Sequence, residues 1–509
     1  MLCKTYCATC IGLQVVTVTV EVFITPGIGI HIVGLPDVAV KESLLRVVTA
    51  LSNFGFRVPG KKIVINLAPA DIRKEGSAFD LSIAIALLCA MDQIPTTYLN
   101  DYVIMGELSL DGMIRPVTGA LPVAIHAKEN GFKGCIFPKD SATEASEISE
   151  LEIYGVSNIG MVIEVLNGRA DEEWRIKYRS DDCSERKRCV NDFSNVKGQK
   201  YAKRGLEIAA AGGHNLLLIG SPGCGKSLMA SCFPSILPQM SREESLETSK
   251  IYSVAGELTG QHGLLRDRPF RTPHHSASQV SLIGGGTKAT PGEISLAHNG
   301  VLYLDEIAQF GKNTLDLLRQ PIEDGRITIS RAKYRVDYPA SFTLVASMNP
   351  CPCGYYGDKS GKCTCSQTAV TNYLARLSGP LMDRIDLHIW VDRVETDRLV
   401  DNGQEEPSEV IARKVEKARQ IQLERFKNES IFTNSRMNVS LIEKYCRVGE
   451  QEKRFLATLI DKLHLSARAY SRILKLSRTI ADLDGKEYIG MAHISEAVQF
   501  RNLDRFGIE

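Results

Sequence analysis

Over the first 168 residues, short β-branched runs alternate with apolar stretches of helical period. Val15-Val16-Thr17-Val18-Thr19-Val20-Glu21-Val22 and Lys62-Ile63-Val64-Ile65-Asn66-Leu67 are bounded by glycine and proline and read as strands. The span Ile11–Val33 alternates, is broken by Glu21, Pro26 and glycines, and predicts two strands. Asp80–Met91 and Ala120–Asn130 instead repeat at helical spacing, so residues 1–168 predict an α/β or α+β unit. The pattern then lapses. Asp171-Glu172-Glu173 and Arg186-Lys187-Arg188 stand among few large apolar residues, which predicts an exposed charged linker over 169–195. Strands alternate with helices again over 196–394, including the buried-type runs Asn215–Ile219, Val301–Leu304 and Phe342–Met348. Residues 395–509 are helical in pattern, over 409–426, 440–447, 452–463, 466–484 and 492–500.

Composition narrows the class without naming a partner. A length of 509 residues exceeds what one core supports, and 44% hydrophobic with 24% charged residues is ordinary for a globular chain. The net charge of +1 predicts no nucleic-acid partner, so any such surface must be local. Fourteen cysteines spread along the chain suggest thiols or metal ligands rather than a disulfide framework. The longest helical apolar stretch, Leu81–Met91, is about half of a bilayer span, and the N-terminus lacks a secretory pattern. The expectation is a cytoplasmic protein that does not enter the membrane.

The most informative segment is Gly220-Ser221-Pro222-Gly223-Cys224-Gly225-Lys226-Ser227, which fits G-x-x-x-x-G-K-[ST] between an apolar run and a helix-compatible one. Its glycines let backbone N–H groups wrap a triphosphate, and the helix start that follows favours negative charge. Lys226 then reaches the β and γ phosphates of ATP, Ser227 ligates Mg²⁺, and Cys224 serves as a small loop residue. Val301-Leu302-Tyr303-Leu304-Asp305-Glu306 is a buried strand ending in two carboxylates, with Asp305 for the Mg²⁺ shell and Glu306 for the attacking water. The next strand ends at Asn349, a polar tip able to hydrogen-bond the γ-phosphate or the water. Arg384, in Gly379-Pro380-Leu381-Met382-Asp383-Arg384, is a candidate arginine finger for a neighbouring subunit, and Arg468 a second candidate cation; surface ion pairs are the ordinary alternative for both.

In this order these residues resemble the AAA+ ATPases, and specifically the magnesium-chelatase-like branch. Arg268-Pro269-Phe270-Arg271-Thr272-Pro273-His274-His275 and Pro291-Gly292-Glu293-Ile294-Ser295-Leu296-Ala297-His298-Asn299-Gly300 look like that branch. With the N-terminal unit included, nearly the whole chain resembles the YifB/ComM family. The resemblance implies an AAA+ phosphate-loop core with a helical lid, assembly into homo-hexameric rings, and ATP-dependent branch migration of DNA in recombination or natural transformation. A chelatase-type motor that remodels a protein partner, or an ATP-dependent protease, are the alternatives.

Residues 1–168 also resemble the Lon proteolytic domain, through Lys74-Glu75-Gly76-Ser77-Ala78-Phe79-Asp80, Gly106-Glu107-Leu108-Ser109-Leu110-Asp111-Gly112 and Gly131-Phe132-Lys133-Gly134-Cys135-Ile136-Phe137-Pro138. A Lon-type site needs a serine activated by a lysine. Here the nucleophile position falls on Ala78, with Ser77 one residue early, and the lysine position falls near Leu121. The expectation is a non-catalytic module.

Two further groups stay open on sequence. Gly325–Ser330 and Tyr334–Tyr338 alternate as a hairpin at the place where this AAA+ branch puts a pore-facing one, so Arg331, Lys333 and Arg335 are candidate DNA-phosphate contacts or ordinary solvated charges. Cys351-Pro352-Cys353 and Cys363-Thr364-Cys365 flank a glycine-bearing loop, and these four thiols are candidate ligands of a structural Zn²⁺, or else free or redox-sensitive thiols.

Overall fold

A computed structural model describes residues 2–94, 97–177, 191–258, 263–286, 289–330, 335–358, 361–394, 405–462 and 467–501. The N-terminal unit is built on a seven-stranded mixed sheet. In spatial order its strands are Gly29–Val33, Lys62–Ala68, Gln14–Thr25, Leu2–Ile11, Tyr102–Ile104, Gly134–Pro138 and Glu152–Val156. Period-two alternation sets the register: Val18, Val20 and Val22 are buried while Thr17, Thr19 and Glu21 between them are half-exposed. Ile11–Val33 yields the two expected strands, and the cysteine-bearing segment before it forms a further one, Leu2–Ile11, antiparallel to the first. The turn between them needs Gly12 at φ +62, and a Cβ there would lie 2.0 Å from Val336 Cγ1. Helix Asp80–Ala90 is buried on every side, which explains its continuous apolar sequence.

The second unit is a five-stranded parallel sheet in the order Phe270–Arg271, Val301–Leu304, Thr343–Met348, Leu216–Ile219, Leu387–Trp390. Both faces are covered, so the central strands are uninterrupted apolar runs. After Leu216–Ile219 the chain moves outward and steps back towards it, and the final strand joins on its other side. The strand order therefore reverses at Leu216–Ile219, the place where open α/β sheets receive ligands at the strands' C-terminal ends. Helices Ser408–Arg425, Val439–Tyr445, Glu450–Lys462, Ala467–Leu483 and Met491–Gln499 follow, within two residues of the sequence expectation. They close over the sheet through a shared core in which Ile411, Val415, Ile473 and Ile480 meet Leu206, Leu216 and Ile389.

The charged span 169–195 differs from the expected exposed linker at both ends. Trp174 and Ile176 pack on the N-terminal core, and Ile176 N donates to Ile153 O at 2.8 Å. Phe193 is fully buried in the second core, where its N–H donates to Ser408 Oγ at 2.8 Å. Residues 178–190, with Arg186-Lys187-Arg188, lie outside the described residues. The two units also touch directly: Leu121 is sealed among Ile251, Tyr252, Leu258, Leu264 and Leu296. Among the described residues no helix is long and apolar enough to cross a membrane.

Candidate nucleotide site

The loop Gly220–Gly225 leaves the reversal-point strand and enters helix Lys226–Cys232. Gly223 and Gly225 take φ values of +78 and +93, which side chains with a Cβ rarely adopt, so the glycine spacing follows from the backbone path. Lys226 Nζ donates to Gly220 O at 2.6 Å, Ser221 O at 3.1 Å and Asn349 Oδ1 at 3.2 Å. The predicted strand-tip asparagine thus meets the phosphate-loop lysine, although 123 residues separate them. Cys224 is buried in the loop, and burial pushes its thiol pKa up, in keeping with a space-filling rather than reactive residue.

The acid pair closes the other side. Ser227 Oγ donates to Asp305 Oδ2 at 3.2 Å, which brings together two hard oxygen donors of the kind Mg²⁺ takes; the pair fits that ion. Tyr303 OH donates to Asp305 Oδ1 at 2.9 Å, and the Ser347 hydroxyl donates to the same carboxylate. Burial opposes ionisation of Asp305, yet the Ser347, Tyr303 and Ser227 hydroxyls outweigh it and hold the carboxyl below its usual range. Glu306 sits at φ +49 and ψ +49, unusual for a non-glycine residue, and its N–H is shared between Asp305 Oδ1 (3.1 Å) and Ser347 Oγ (3.2 Å). Gln309 donates to its carboxylate. Sequence reading missed Ser347 and Tyr303. The only signal was a hydroxyl on each of two apolar strands that turn out to be neighbours.

The candidate cations lie elsewhere. Arg384 O accepts from Asn215 Nδ2 at 3.1 Å, at the start of the strand whose far end carries the phosphate loop. A strand of this length spans about 13 Å, so Arg384 cannot serve its own loop. Within the chain it takes the ion pair that was the alternative on sequence: it pairs with Glu323, donates to Pro380 O at 2.6 Å, and its side chain is only 10% exposed. Arg468 is 70% exposed and 3.4 Å from Asp383, the residue before Arg384. The structure gathers both arginines at one end of the sheet and the phosphate machinery at the other.

Residues 192–399 match the family described as magnesium chelatase, subunit ChlI. Residues 20–141 match subunit ChlI of Mg-chelatase, and 405–501 its C-terminal region. Competence protein ComM of Haemophilus influenzae is 42% identical over 98% of this chain and 97% of its own length. The chain belongs to the magnesium-chelatase-like YifB/ComM family. YifB of Escherichia coli, itself uncharacterized, is 43% identical over 97% of this chain and 96% of its own. A shorter likeness, 29% over 125 residues, links 24% of this chain to 22% of Lon protease 2 of Bacillus subtilis.

Three more groups in this YifB/ComM chain were singled out by sequence. Cys351, Cys353, Cys363 and Cys365 place their sulfurs within 4.8 Å of one another. Backbone N–H groups, from Tyr355 first and then Thr364, lower the Cys353 pKa to about 6. In the hairpin Arg326–Ser330/Arg335–Pro339, Arg335 is exposed opposite Ser330, whereas Arg331 and Lys333 lie outside the described residues. In the N-terminal unit the Ser77 hydroxyl donates to Glu107, a carboxylate rather than an amine. Lys74 is buried and turned away, donating to Ile72 O at 2.8 Å and to Pro69 O; burial lowers its pKa.

Proposed function

We propose that this YifB/ComM chain is an oligomeric Mg-ATPase, a hexameric ring that drives DNA through its centre as a branch-migration helicase in the cytoplasm. One observation carries the ATPase part: Lys226, Ser227, Asp305 and Asn349 converge at the C-terminal end of the sheet, at the reversal of strand order. Lys226 neutralises the β and γ phosphates, and Ser227 with Asp305 holds the metal, which supplies charge neutralisation of the transferred phosphoryl group. Glu306 orients and polarises the water; its backbone N–H donates to Ser347 Oγ, and Gln309 donates to its carboxylate. Arg384, at the far end of the strand from its own loop, and Arg468, close to Asp383, would act on the site of the next protomer.

The DNA part rests on kinship with competence protein ComM and on the basic hairpin that includes Arg335. The N-terminal unit is read as a Lon-like module that acts in assembly or DNA contact, with Ser77 bound to Glu107 and the lysine position filled by a packed leucine. ATPase rate measured with and without a four-way DNA junction tests the reading. Junction DNA should raise the rate several-fold at low salt, with the stimulation fading as salt rises. Hydrolysis indifferent to every DNA structure would favour a motor that remodels a protein partner.

A further inference from the structure

The four-cysteine loop lies directly on the phosphate loop. Cys351 follows Asn349 by two residues and is fully buried. The sulfur of Cys351 is 3.3 Å from that of Cys353 and 3.8 Å from that of Cys363, and Cys353 and Cys363 are 3.6 Å apart. A tetrahedral Zn²⁺ with bonds of about 2.3 Å sets its sulfurs about 3.8 Å apart, so the cluster has the right size. Tyr356 N–H donates to Cys351 Sγ at 3.3 Å, the type of outer contact that steadies a ligating thiolate.

Two residues between the cysteine pairs touch the nucleotide site. Gly354 approaches Pro222 so closely that a Cβ would lie 2.7 Å from its Cδ. Asp358 Oδ2 accepts from Ser221 Oγ at 2.8 Å. Ser221 and Pro222 are the residues whose backbone must wrap the phosphates, and Ser221 O is also a partner of Lys226. The cysteine loop has no strand or helix of its own over its described residues; its backbone is held by single turns such as Gly354 N to Cys351 O at 3.0 Å. A brace without secondary structure needs another fastening, and four converging thiolates offer one.

We propose that Cys351, Cys353, Cys363 and Cys365 bind one Zn²⁺ and that this knuckle braces the phosphate loop through Gly354 and Asp358, so that metal loading sets nucleotide affinity. The proposal rests on the ATP-binding reading above and adds a control to it. The test uses the full chain purified under reducing conditions, with zinc measured by elemental analysis and nucleotide binding by a fluorescent ATP analogue. The expected result is one zinc per chain. Stripping the metal should weaken nucleotide binding about tenfold, the scale of a lost hydrogen bond to a charged group, and Zn²⁺ but not Mg²⁺ should restore it. Asp358→Ala should keep its zinc and lose affinity to a similar degree, which separates bracing from misfolding. Lys226→Ala should lose nucleotide and keep zinc. Zinc-free protein under these conditions overturns the proposal, as does a folded, metal-stripped chain with unchanged affinity. Wild-type protein that holds zinc yet binds no nucleotide defeats the ATP reading, and with it the bracing, while leaving the metal site intact.

Discussion

Glu306 is the residue on which turnover depends in this account. Its left-handed backbone is held by its N–H donating to Ser347 Oγ, and Gln309 donates to its carboxylate, next in the chain to the Ser227–Asp305 pair. Glu306→Gln keeps the shape and removes the charge that polarises water, so ATP binding should persist while steady-state hydrolysis falls about 10²-fold or more. Nucleotide-binding titrations beside a phosphate-release assay check this; near-normal turnover would remove Glu306 from the mechanism. Much of this site was legible in sequence because Gly220–Ser227 and Asp305–Glu306 are contiguous and their spacing is imposed by the phosphates. Ser347 was not legible, because its role arises from parallel pairing of Val301–Leu304 with Thr343–Met348, a relation in space. The Arg384–Glu323 pair was hidden for the same reason.

At the scale of elements, the contact between the N-terminal unit and helix Arg242–Ala255 carries a titrating group. Glu144 is buried there and accepts from Ser253 Oγ, whose own backbone carbonyl accepts from Gly119 N at 3.0 Å. Burial raises its pKa from an ordinary 4.5 to about 7, against the smaller opposing effect of the Ser253 hydrogen bond. Between these values the folded chain binds more protons than the unfolded one. Glu144's contribution is therefore fully present below pH 4.5 and lost as pH rises through about 7, by at most about 3 kcal/mol. Thermal unfolding midpoints of Glu144→Gln should lose this part of the pH dependence across that window. Slopes identical to wild type would mean the group titrates normally. This contact could not be read in advance: Leu121 and Ile251 are apolar residues on separate helices, and nothing in either helix's period says which neighbour buries it. The lid helices were legible because their 3.6-residue pattern is local. The short strands Phe270–Arg271 and Tyr102–Ile104 offered too few residues for a period.

At the scale of the whole molecule, the proposed function implies that one chain carries two halves of an ATPase site at opposite ends of its sheet. Lys226, Asp305 and Glu306 stand at the C-terminal end, and Arg384 and Arg468 gather at the other, beside Asp383. A head-to-tail ring would join the two halves at every interface, since heterologous contacts close into rings when the rotation permits. Hydrolysis then depends on neighbours, and Arg384→Ala and Lys226→Ala should each be inactive alone. The most direct test mixes these two variants in equal amounts and measures ATPase after subunit exchange. Activity should return at about a quarter of the interfaces, those pairing an intact phosphate loop with an intact arginine from the next protomer. No recovery at any ratio, or full-rate hydrolysis by an isolated wild-type monomer, would contradict the shared site.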